Sequence, residues 1–139
     1  MNLIDVPRKW AKAQNRRDVD AVVSVYAPNI ISYDPMSPAP MKGIDAIRKD
    51  AENFFKAFPN MKVKFLNLMT KGNTIMGEVR FTGTNSGPLE SPNGTIPATS
   101  KRIEMNGAFT ARANARGLLV EEHRYYDTAS MMRSLGLMK

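Results

Sequence analysis

The stretch Ile30-Ile31-Ser32-Tyr33-Asp34-Pro35-Met36-Ser37-Pro38-Ala39-Pro40-Met41-Lys42-Gly43 decides how the rest of the chain is read. It opens as a strand: Ile30, Ile31 and Tyr33 favour extended backbone, and Ser32 and Asp34 share one face because side chains alternate. Pro35 removes a ladder donor and ends the strand. Three prolines stiffen the loop, and Gly43 releases the chain into a helix. A carboxylate, Asp34, therefore stands at the end of a strand beside a rigid loop. The residues before this stretch read as helix, and those after it as one strong helix followed by strands.

Upstream, residues 3–15 are predicted as a helix with Ile4, Trp10 and either Ala13 or Gln14 on one face. Pro7 is tolerated only in a first turn, which moves the start towards Asp5 or Val6. Asp18 caps a second helix with Val19, Val22, Val23 and Tyr26 as its stripe, ended by Pro28-Asn29. Downstream, Ile47, Ala51, Phe54, Phe55 and Phe58 give the helix from Asp45 to Phe58 one broad apolar face. Lys49, Asp50, Glu52 and Lys56 are placed mostly off that face. Strands are expected over residues 61–70, 74–84, 99–113 and 118–126, with a turn at Lys71-Gly72-Asn73 and a bulge or bend at Gly107. The Gly- and Pro-rich segment from Asn85 to Ala98 reads as a loop, either a lid or a dimer contact. Asp127 or Thr128 caps a short last helix stopped at Gly136. The expected layout is α+β, one domain over residues 1–139: a curved, mostly antiparallel sheet forming a cone with helices on its concave face. Cone mouths of this kind are common ligand sites.

The chain has 139 residues, no cysteine, one histidine and a formal net charge of +7. Without cysteine, disulfides and thiolate metal sites are excluded. A single histidine, His123, excludes a histidine cluster, so no metal is expected. No apolar run approaches the roughly 20 residues a membrane span needs, and no signal peptide is evident, so a cytoplasmic protein is expected. The basic residues are scattered and not interleaved with aromatics, so no nucleic acid partner is expected despite the charge. The ten methionines are either adaptable pocket lining or ordinary core filler.

Several segments, in this order, carry a resemblance: Asn15-Arg16-Arg17-Asp18-Val19-Asp20, Tyr26-Ala27-Pro28, Asp34-Pro35, Gly43-Ile44-Asp45-Ala46-Ile47, Phe58-Pro59-Asn60, Gly83-Thr84-Asn85-Ser86-Gly87, and Glu121 to Asp127 closing with Leu135-Gly136. Over nearly its whole length the chain resembles the NTF2-like (cystatin-like) superfamily, and within it the SnoaL-like polyketide cyclases, relatives of ketosteroid isomerase. The resemblance implies the cone fold, a small apolar carbonyl-bearing ligand, acid/base chemistry without a cofactor (aldol cyclisation or isomerisation), and a homodimer. The isomerase base matches Asp34. Its oxyanion tyrosine matches Trp10, and its second aspartate falls near Gly107, so that oxyanion hole is not reproduced.

The candidate catalytic residues are accordingly Asp34 and His123, paired across the cone as a proton relay. On the last strand Leu119, Glu121, His123 and Tyr125 share one face; Leu118, Val120, Glu122, Arg124 and Tyr126 share the other. If the first set faces the cone, Glu121 and Tyr125 join Trp10, Tyr33, Phe54 and Phe58 as substrate-binding candidates. For Asp34 the competing reading is a carboxylate that accepts local backbone N–H groups ahead of Pro35. The alternative function is a non-catalytic small-molecule binding or dimerisation domain of the same fold.

Overall fold

The computed structural model describes residues 2–139, and the elements run in the expected order. Helix α1 spans Asp5–Arg16 and helix α2 Val19–Val23; strand β1 spans Tyr26–Tyr33 and the short β2 Met41–Lys42. Helix α3 follows at Ile44–Ala57, then β3 (Lys62–Lys71), β4 (Thr74–Thr84), β5 (Leu89–Ser91), β6 (Gly94–Ile96), β7 (Arg102–Ala113), β8 (Leu119–Tyr125) and helix α4 (Thr128–Ser134). Six strands form one sheet in the order β2-β1-β8-β7-β4-β3, antiparallel except where β1 runs parallel to β8. Among the described residues no helix is long and apolar enough to cross a membrane.

Local chemistry sets the helix ends. Pro7 falls in the first turn of α1, where its missing N–H costs nothing. Asp18 Oδ1 accepts the Ala21 N–H at 3.1 Å, and Asp127 Oδ1 accepts the Ser130 N–H at 3.1 Å, so both aspartates are N-caps. Helix α2 is shorter than its stripe suggests. Tyr26 and Pro28-Asn29 belong to β1, whose register with β8 jumps between Tyr26 and Ile31. That irregularity accommodates Pro28, which has no N–H to give a ladder.

Two further bulges matter for shape. Leu66 is an extra residue in β3 opposite β4, and Val120 is an extra residue in β8 opposite β7. Bulges bend a strand and raise its twist, curving the sheet around the helices. Gly107, by contrast, marks no bulge: the β4–β7 register passes through it unbroken. A Cβ there would lie 3.0 Å from the Tyr125 carbonyl oxygen, so the glycine serves a close approach of chains.

Two apolar clusters fill the concave side. Ile30, Ile47, Val22, Val25, Ile75 and Leu119 belong to one; Phe58, Met61, Val63, Leu89, Ile103 and Leu135 belong to the other. Trp10 and Phe55 pack against both.

The segment 85–98 is not an open loop. It carries the β5–β6 hairpin and lies tied along α3, where the Asn53 side chain donates to the Glu90 carbonyl at 3.0 Å and accepts its N–H at 2.9 Å. Asn85, fully buried, anchors the other end. Its Nδ2 donates to the Ala57 and Gly87 carbonyls at 3.3 and 2.9 Å, and its Oδ1 accepts from Thr99 N and Oγ1 at 2.9 and 2.8 Å. One side chain thus joins the end of α3 to both ends of the hairpin segment. Asn85→Ala strands these buried groups and is expected to cost about 3 kcal/mol, since each unsatisfied buried group costs roughly 1–3 kcal/mol. Urea denaturation reads it directly; a loss below about 1 kcal/mol would show that the junction holds without the amide.

Candidate active site

A cavity of about 180 Å³ opens between the helices and the concave face of the sheet. Its walls are mostly apolar and aromatic, with Trp10, Phe54, Phe81 and Phe109 prominent. Its polar lining includes Asp34, Asp50, Glu122, Arg124 and Tyr126.

These groups converge because three elements deliver them. Glu122 and Arg124 in β8 and Tyr126 just after its end follow at every second residue and so share a face. In α3, Asp50 stands three residues after Ile47 and four before Phe54, within the buried stripe. Asp34 follows the last residue of β1.

Arg124 is the hub. Its Nε donates to Glu122 Oε1 at 2.8 Å, and its Nη1 donates to Asp50 Oδ2 at 2.7 Å and to Asp34 Oδ2 at 3.0 Å. The side chains are largely withdrawn from solvent: Asp34 is 5% exposed, Glu122 8%, Asp50 19% and Arg124 21%. Burial works against the Arg124 charge, but Glu122, Asp50, Tyr26 and Asp34 outweigh it and push its pKa further up.

The three carboxylates differ in how fully they are engaged. Glu122 accepts from Tyr26 Oη at 2.7 Å and from Ser32 Oγ at 2.8 Å besides Arg124. Asp34 Oδ1 accepts from the Tyr126 hydroxyl at 2.5 Å and from the Met36 N–H at 2.9 Å, while its Oδ2 takes Arg124. Asp50 alone keeps an oxygen, Oδ1, without a hydrogen bond. Burial raises the Asp50 pKa above the ordinary carboxylate value; the Arg124 guanidinium opposes the rise, and Asp34 and Glu122 add to it. The hydroxyls of Tyr26 and Tyr126 are pushed up by burial first and by their carboxylate acceptors second, so both stay protonated donors. The Trp10 Nε1 is buried with no hydrogen-bond partner.

The sequence-predicted residues divide between two faces of the sheet. Trp10, Asp34 and Phe54 line the cavity and Phe58 lies in the core behind it, whereas Tyr125 reaches only the cavity's edge and its ring stacks beside His123 on the outer face. His123 does not meet Asp34. It stacks on Tyr33 with ring centroids 4.5 Å apart, next to Glu121 at 3.8 Å, and none of these three lines the cavity. The reason is the Val120 bulge. Leu119 points inward, as its burial shows, but the extra residue reverses the alternation, so Glu122 and Arg124 rather than Glu121 and His123 follow it into the cone. Asp34 also makes the local turn contact to Met36 that its position before Pro35 suggested, in addition to its cavity contacts. The residues that sequence reasoning missed are Asp50, Glu122, Arg124 and Tyr126. Asp50 had a readable signal, its place in the apolar stripe of α3. No group of three or more His, Cys, Asp or Glu side chains able to hold a metal occurs among the described residues.

A family model described as SnoaL-like polyketide cyclase matches residues 4–135. No curated protein matches the sequence. Among solved structures, a protein of Jannaschia sp. CCS1 classed with the SnoaL-like polyketide cyclases superposes with a TM-score of 0.84 at 16% identity, covering 99% of this chain and 93% of that one. IdmH of Streptomyces antibioticus, classed as a polyketide cyclase, gives 0.79 at 20% identity, with 98% and 99% covered. SalBIII, an epoxide hydrolase/cyclase-like enzyme of pyran ring formation in salinomycin, gives 0.75 at 17% identity, with 92% of each chain covered. At these identities the structures speak for the fold, and the family model speaks for the sequence. With the cone, its apolar cavity and a match that runs from α1 into the end of α4, the chain belongs to the SnoaL-like polyketide cyclase family.

Proposed function

We propose that this chain is an acid/base enzyme that binds a small apolar carbonyl-bearing molecule in the cavity and moves a proton on it, as an aldol cyclase or isomerase does. The observation that carries this reading is one free carboxylate oxygen, Asp50 Oδ1, held by a buried cluster at the polar end of an otherwise apolar cavity. Burying several charges around one guanidinium is costly for stability, so the arrangement points to function. Asp50 is the proton carrier. Asp34, with both oxygens occupied, positions Arg124 and Tyr126 in place of serving as the base. Abstraction of a proton next to the carbonyl leaves charge on the carbonyl oxygen, which Arg124, the cation of the cavity lining, offsets. The proton on Asp50 then returns to the product. The SnoaL-like polyketide cyclases and the cyclase-like SalBIII belong to the same class, since ring closure requires a proton to move.

Exchange of the carbonyl-adjacent protons of methyl 3-benzoylpropionate in D2O, followed by NMR, tests this. Acceleration over buffer by the wild-type protein, lost in Asp50→Asn, is expected. Binding without acceleration, for this probe and for a series of methyl ketones, would favour the non-catalytic binding domain.

The proposal includes a homodimer through the outer sheet face. Tyr33, His123, Thr110, Met76 and Met69 stand in direct register across five strands, and Tyr33, Met69, Met76 and Tyr125 are exposed. Exposed methionine and aromatic side chains gathered on one sheet face mark an interaction surface. Sedimentation should show a dimer that Met69→Lys with Met76→Lys converts to monomer. A wild-type monomer at every loading concentration would remove the dimer from the reading.

A further inference from the structure

We infer that Gln14 is a specificity-determining residue of the cavity: its amide takes a hydroxyl group of the ligand, at a point supplied by a different element from the charged cluster. The inference rests on the cavity being the ligand site, as proposed above, and not on turnover there.

Among the described residues, four polar or charged ones are buried as whole residues: Gln14, Ser32, Asn85 and Glu122. Three of them are engaged by the protein. Ser32 donates to Glu122, Glu122 also accepts from Tyr26 and Arg124, and the Asn85 amide bonds Ala57, Gly87 and Thr99. Gln14, 9% exposed, is the exception: its side-chain amide makes no hydrogen bond to any described residue. Its neighbour Asn15 shows what a structural amide does at this place in α1. It donates to the Val63 carbonyl at 3.1 Å and accepts the Val63 N–H at 2.7 Å.

Gln14 lies instead on the face of α1 that lines the cavity, together with Pro7 and Trp10. Trp10 Nε1 is the one side-chain polar atom that the described residues enclose without a partner, so the Gln14 amide keeps accessible surface on the wall it lines. A buried amide without a partner costs stability, and Met or Leu would serve folding better there. A ligand group removes that cost. The amide offers an N–H donor and a C=O acceptor side by side. A hydroxyl accepts from the first and donates to the second, whereas a carbonyl oxygen uses only the first. The charged groups of the cavity come from α3, β8 and the end of β1, and none comes from α1. A ligand hydroxyl on Gln14 therefore adds a second point of attachment beside the cluster. Two points fix the orientation of a molecule that one point would leave free to turn.

The probes are 3′- and 4′-hydroxypropiophenone, each paired with the compound carrying methyl in place of the hydroxyl, titrated by calorimetry at pH 6.5. Gln14→Met is expected to weaken at least one hydroxyl compound about three- to tenfold, the scale of one neutral hydrogen bond, while its methyl counterpart binds as well or better. The urea midpoint of Gln14→Met is expected to equal or exceed that of wild type, because the variant removes an unpaired amide and keeps the volume. Equal changes for hydroxyl and methyl compounds, binding of none of the four by wild type, or a lowered midpoint would overturn the inference. A hydroxyl-specific loss in Gln14→Met, with no proton exchange by wild type, would leave the inference standing and sink the enzymatic reading. Exchange that Asp50→Asn abolishes, without a hydroxyl-specific loss in Gln14→Met, would do the reverse.

Discussion

Arg124→Met is expected to lose about 3–5 kcal/mol of stability at pH 7, the usual cost of removing one partner from a buried ionic cluster. The variant keeps most of the side-chain volume but leaves Asp34, Asp50 and Glu122 facing one another without a cation. The pH dependence separates this cause from simple loss of packing. Without Arg124, burial and mutual repulsion raise the carboxyl pKa values of the folded state above those of the unfolded chain. Between the two sets of values the folded state then holds more protons, so the variant's stability falls as pH rises through that window. Its deficit relative to wild type should therefore be smallest near pH 4.5 and largest near pH 7.5, read from urea midpoints at both. A deficit that is small, or equal at the two pH values, would mean that Arg124 is a packing residue and that the carboxylates are neutralised in some other way.

The same cluster marks where the sequence was legible and where it was not. Local signals with a single physical cause carried through: Pro7 in a first turn, Asp18 and Asp127 as caps, the Phe-rich stripe of α3, and the turn around Gly72 between β3 and β4. Side-chain direction in β8 did not. Alternation counted from Leu119 places His123 and Glu121 in the cone, and the single extra residue Val120 reverses that parity. A bulge is fixed by the pairing of two strands distant in sequence, so strand periodicity alone gives no sign of it. Asp50 was obscured by its polarity. In a stripe read for apolar residues a carboxylate looks like a solvent-side neighbour, and only its buried partner Arg124, 74 residues away, accounts for it. Tyr26 was assigned to the wrong element for a related reason: a helical spacing from Val22 and Val23 carried the reading past the real end of α2.

Asp50→Asn should separate stability from activity. Burial is the largest influence on Asp50 and raises its pKa, so the folded state binds a proton there more tightly than the unfolded chain does. Its contribution is then most favourable below the ordinary carboxylate pKa and is lost as pH rises through the raised value. At neutral pH the ionised group is a burden, relieved only in part by Arg124. Asparagine keeps an oxygen for the Arg124 Nη1 donor and removes the charge. The variant is therefore expected to be at least as stable as wild type at pH 7.5, with the difference shrinking as pH falls and Asp50 takes up its proton. Exchange catalysis should nevertheless fall by roughly 10²- to 10⁴-fold, the usual contribution of a positioned acid/base. Asp34→Asn should show the opposite balance. It disturbs the acceptor of the Tyr126 hydroxyl and one contact of Arg124, so stability should drop while exchange persists in the folded fraction. If Asp34→Asn abolishes exchange in folded protein and Asp50→Asn does not, the proton carrier is Asp34 and the assignment made from the free oxygen of Asp50 is wrong. If instead Asp50→Asn unfolds the protein, the carboxylate is holding the cluster together. A buried group with an unoccupied oxygen would then be a structural element, and the case for the enzyme would lose its central residue.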